Sequence, residues 1–129
     1  MRNLLVISAV FASALVSGSV TAAPSTPSAH SLTVQKASAG MSYMKVLSDK
    51  CHFTRDENAQ LESMAMFAMA GLQSKGPVLT PDIEQGGLRG AMAADAAFNA
   101  NPTAACKEAR EKFADFAKLA KQAPSQSLR

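Results

Sequence analysis

The chain has 129 residues, 47% of them hydrophobic and 18% charged, with two Cys, one Tyr and no Trp. That size allows one small domain and excludes a large multidomain enzyme, a multi-span membrane protein and a disulfide-dense miniature scaffold. The formal net charge is only +3, and the signs alternate, as in Lys107-Glu108-Ala109-Arg110-Glu111-Lys112, so the concentrated basic face that nucleic acid requires is missing and none is expected as a partner.

Residues 1–22 read as a secretory signal peptide. Arg2 and the amino terminus supply the positive start, and Leu4 to Val16 supply an apolar stretch of 13 residues. A spanning helix needs about 20 apolar residues, so this stretch is too short to be a membrane anchor. Val20-Thr21-Ala22 offers small residues to the peptidase and leaves Ala23 as the new terminus. The expected location is periplasmic or secreted, with no membrane span after processing. Loss of Arg2 lowers the charge to +2.

Residues 23–33 (APSTPSAHSLT) have no periodic apolar face and read as a flexible leader. The helical domain is expected over 34–121. Its first helix runs from Val34 to Lys50, with Ala37, Met41, Met44, Leu47 and Cys51 on one stripe. Thr54-Arg55-Asp56-Glu57 is a capping box that starts the second helix, and Gly76-Pro77 stops it near Ser74. Residues 64–72 are apolar nearly all round, which predicts that this is the most buried helix.

Thr80-Pro81 reads as the next start, with Thr80 as the cap. Gly86, Gly90 and Ala94 recur every fourth residue and form a smooth stripe against which another backbone can lie. The rival is a break at Gly86-Gly87 between two short helices, since each glycine costs a helix about 1 kcal/mol against Ala. Both remain open at this point. Asn101-Pro102 caps a last helix to Lys121, whose apolar face is Cys106, Ala109, Phe113, Phe116 and Ala120. Residues 122–129 read as a disordered tail. No strand is expected, so the fold class is all-α, a small bundle of about four helices.

Cys51 and Cys106 are the only cysteines. In an exported chain an even count implies a bridge. Closing that loop stabilises by about 4 kcal/mol on a chain-entropy basis, large beside the total stability of a small domain. This plan resembles that of HdeA-type acid-stress chaperones, which are also small, exported, helical and clamped by one long-range disulfide. The resemblance covers the Cys51 to Cys106 core alone and carries over no residue.

Catalytic candidates are thin. His30 lies in the leader. His52 adjoins Cys51, but neighbours in sequence do not face each other on a helix, and a bridged sulfur cannot attack. Asp49, Asp56, Glu57 and Glu62 are explained by capping and solvation. No nucleophile is paired with a base, so a non-enzymatic role is expected. No haem motif, zinc spacing or phosphate loop is present, and no cofactor is expected.

The methionines have three readings. They fill a core, they line an adaptable hydrophobic groove, or Met41, Met44, Met64, Met66 and Met69, with His52, handle Cu(I) through soft thioethers. Core filling is preferred, the groove next and copper last. The leading functional expectation is a small envelope protein that binds a protein partner or client through an apolar helical surface, chaperone-like or inhibitor-like. A homodimer is compatible with a core this small.

Overall fold

The computed structural model describes residues 26–122. The signal-peptide segment and the end of the tail lie outside the described residues. Within them the chain is all-helical, with α1 at Ala29–Lys50, α2 at Arg55–Gln73, α3 at Thr80–Ala100 and α4 at Pro102–Gln122.

The first helix begins earlier than its apolar stripe. Ser28 is the cap, accepting from the Ser31 N–H at 3.0 Å, so residues 29–33 are helical rather than part of a flexible leader. The stripe misses this turn because its half-buried residues, His30 and Ser31, are polar. At the other end Cys51 is the C-cap, His52 adopts φ 58°, and the Phe53 N–H reaches back to the Ser48 carbonyl at 3.0 Å. That left-handed closure satisfies a helix-end carbonyl and turns Phe53 into the core.

The capping box forms as expected: the Glu57 N–H donates to Thr54 Oγ1 at 3.1 Å and the Thr54 N–H to Glu57 Oε1 at 2.9 Å. Asn101 also caps, accepting from the Ala104 N–H at 3.1 Å. Thr80 does not: the N-cap of α3 is Leu79, which makes no side-chain cap. A backbone N–H from Asp82 donates to the Leu79 carbonyl instead.

Gly86-Gly87 lies inside a continuous helix. Of the two open readings the smooth stripe is the one realised. A Cβ placed on Gly86 would overlap the backbone carbonyl of Gln35, and one on Gly90 would overlap that of Ala39. The paired positions advance together, so α1 and α3 run parallel with backbones touching. Lys50 closes the far end of this seam, 3.4 Å from Asp95 and 5.1 Å above the Phe98 ring. The contact between α1 and α3 is by far the most extensive in the molecule.

The remaining core gathers at the disulfide end. Met44, Leu47, Cys51, Phe53, Ala94, Ala105 and Ala109 are buried together. The Cys51 and Cys106 sulfurs sit at bonding distance, with Cα atoms 5.4 Å apart. Phe53 meets Phe113 edge to face, centroids 5.6 Å apart. Of the predicted α4 face, Ala109 is buried and Cys106 and Phe113 are half-buried against the core, but Phe116 and Ala120 are exposed; Ala105, outside that face, is buried as well.

The second helix overturns its expectation. It contains no buried residue: the close contact between α1 and α3 leaves α2 on the outside of that pair. The stretch 64–72, apolar nearly all round, therefore lies on the outside of the bundle.

The glycine seam sets a sharp contrast. Gly90→Ala is expected to cost at least about 2 kcal/mol, since backbone rather than a movable side chain blocks the new methyl. Gly71→Ala, with nothing within 4 Å, is expected to stabilise by about 0.5–1 kcal/mol. Urea unfolding of the two variants checks the order; equal effects would contradict the seam.

Candidate functional site

Three devices hold the start of α2 in place. The capping box fixes its first turn. Arg110 from α4 donates to Glu57 at 3.0 Å and stacks over Phe53 at 4.4 Å. Leu61 packs against the core. Beyond Leu61 these anchors end, and α2 runs alongside α1 without closing on it.

The result is a groove of about 470 Å³ between α1 and α2, with Phe116 of α4 at one side. Met41 and Met44 form one wall, three residues apart and so on one face of α1. Leu61, Met64, Ala65 and Ala68 form the other. The lining is almost wholly apolar. Lys45 and Glu62 supply its charge, both exposed and so at the mouth. Lys45 is loosely engaged with Asp49 at 3.7 Å. On the opposite side of α2, Met66 and Phe67 are 73% and 74% exposed.

The structure divides the six candidate metal ligands. It brings Met41, Met44 and Met64 to one groove. Met66 points to solvent and Met69 is half-buried outside the groove lining. His52 is exposed in the left-handed closure of α1, outside the groove lining. Among the described residues no three His, Cys, Asp or Glu side chains converge on a common point.

A polar cluster at the start of α3 has no counterpart in the sequence reading. Gln35 donates to Asp82 Oδ1 at 2.9 Å, and Arg89 donates to Gln35 Oε1. Gln35 and Asp82 are both buried. His30 packs on Gly76, with its Nε2 buried and unpartnered. Gln35 and Asp82 are 47 residues apart, and no local spacing announces such a pair. The cluster pins the ends of α1 and α3 in register.

Two carboxyls are held below their ordinary values. For Asp82 the cause is first the Gln35 amide, then the Ser31 hydroxyl and the nearby His30. For Glu57 it is first the Thr54 backbone N–H, with the Thr54 side chain and Arg110 adding to it. No described helix is long and apolar enough to cross a membrane.

No family model, curated protein or solved structure matches this chain.

The two carboxyls fix the sign of the pH dependence. A group whose pKa is lower folded than unfolded stabilises fully above its unfolded value, and that stability is lost as pH falls through the folded value. Melting temperature should therefore fall as pH drops below the ordinary values of 4.5 for Glu57 and 3.8 for Asp82. Thermal melts of Glu57→Gln/Asp82→Asn should show a shallower acid limb than the parent. An unchanged limb would contradict the assignment.

Proposed function

We propose that this protein is an exported, non-enzymatic binding protein that holds a protein partner or client on the apolar surface of α2. The observation that carries the proposal is the placement of α2, which has an apolar second half but no buried residue and presents Met66 and Phe67 to water. Contiguous exposed apolar surface marks interaction sites, and Met66 and Phe67 are the most exposed of the large hydrophobic side chains among the described residues. Met side chains also adapt to different apolar surfaces, which suits a binding face.

Export is supported by the sequence of residues 1–22 and by the Cys51–Cys106 pair, since bridges persist in oxidising compartments. The anchored first turn of α2 matters here as well. It fixes where the helix starts, so its apolar remainder is presented in one orientation at low ordering cost.

A photo-reactive amino acid in place of Phe67 tests this in cells. Crosslinked protein adducts should form there and be absent with the same probe at Asn99, an exposed position on α3. Many adducts would indicate a client-binding chaperone, and one dominant adduct a single-target inhibitor. Equal yields at the two positions would overturn the proposal.

A further inference from the structure

The inner side of α2 carries a different chemistry from its outer side. Met41, Met44 and Met64 line one groove from two helices. Met44 is buried against the core and Met41 and Met64 are half-buried, and a space of about 470 Å³ stays open beside all three. Their thioether sulfurs are neutral, soft donors, which select a soft monovalent ion over hard divalent ones. Both cysteines are bound to each other and no free thiol exists among the described residues. The thioethers are then the soft sulfur donors that the oxidised chain offers.

Charge points the same way. An ion entering an apolar groove loses hydration, and that cost grows steeply with charge. Three neutral ligands leave a single positive charge on a monovalent ion. Glu62, at the mouth of the same groove, carries the one negative charge that compensates it. Lys45, the other charge at the mouth, has Asp49 as its own partner.

We propose that Met41, Met44 and Met64 form a binding site for one Cu(I) ion, with Glu62 as its counter-charge. Met66, Met69 and His52 take no part. Binding involves no electron transfer, as the metal arrives already as Cu(I). The site lies across α2 from Met66 and Phe67, so it stands or falls independently of partner binding by that outer face.

Ag(I) is the probe of choice, because this soft monovalent ion needs no reductant and leaves the Cys51–Cys106 bridge intact. Titration of the oxidised chain should give one ion per chain. In methyl NMR spectra the ε-methyl signals of Met41, Met44 and Met64 should shift, and that of Met66 should stay. The Met41→Leu/Met44→Leu/Met64→Leu variant keeps side-chain volume closely enough to fold and should bind at least about tenfold more weakly. Met66→Leu should bind as the parent does, and so should His52→Ala. Competition with a chromogenic Cu(I) chelator should reproduce the order. Absence of one-to-one binding would overturn the proposal, as would methyl shifts confined to Met66 or Met69. Because the methyl spectra use the parent chain, the test does not depend on the triple variant folding.

Discussion

The backbone contact between α1 and α3 is the constraint from which the rest of the molecule follows. Gly86 and Gly90 remove the side chains that would hold two helices apart, and the backbones of Gln35 and Ala39 occupy the space. Each glycine weakens its own helix. Close packing along the whole seam offsets that loss, and the Gln35–Asp82 bond and the Lys50–Asp95 pair fix the ends. Two parallel helices joined this tightly leave little room between them for a third. The other two helices must lie on the outside of the pair.

The bundle is consequently unequal along its length. At the disulfide end, Cys51–Cys106, the Phe53–Phe113 contact and the Arg110–Glu57 pair draw α2 and α4 onto the core. Towards the other end no such bridge, ring contact or ion pair joins these helices among the described residues, and they expose Met66, Phe67, Phe116 and Leu119. The groove sits where the anchored region gives way to the open one. A bundle of four equally packed helices would have filled this space with side chains. Here the space survives because α2 is anchored at its start, while from Met64 to Gln73 its residues are at most half-buried.

Local signals in the sequence were legible and largely realised. The Thr54–Glu57 box, the Asn101 cap and the spacing of Gly86, Gly90 and Ala94 each encode a geometry within a few residues. The start of α1 was not legible, because the half-buried residues of its first turn, His30 and Ser31, are polar and give no apolar pattern. Burial of α2 was misjudged for a related reason. Apolar content around 64–72 says that a helix can be buried, but the order of burial is set by how closely other pairs can approach. The Gln35–Asp82 pair was out of reach, since it depends on a register that exists only once the seam has formed. Of the candidate ligands, Met41 and Met44 share a face by spacing alone. Their meeting with Met64, and the separation of Met66 and His52 from them, required the three-dimensional arrangement.

The central claim is that α1 and α3 form the stable unit and that α2 rests on it with its apolar surface available. Native-state hydrogen exchange resolved by residue measures this directly. Amides of α1 and α3 along the seam should exchange only through global unfolding. Amides in the second half of α2, from Met64 to Gln73, should exchange through a smaller opening that leaves the seam protected. Equal protection across α2 and the seam, or earlier exchange in α3 than in α2, would contradict the account.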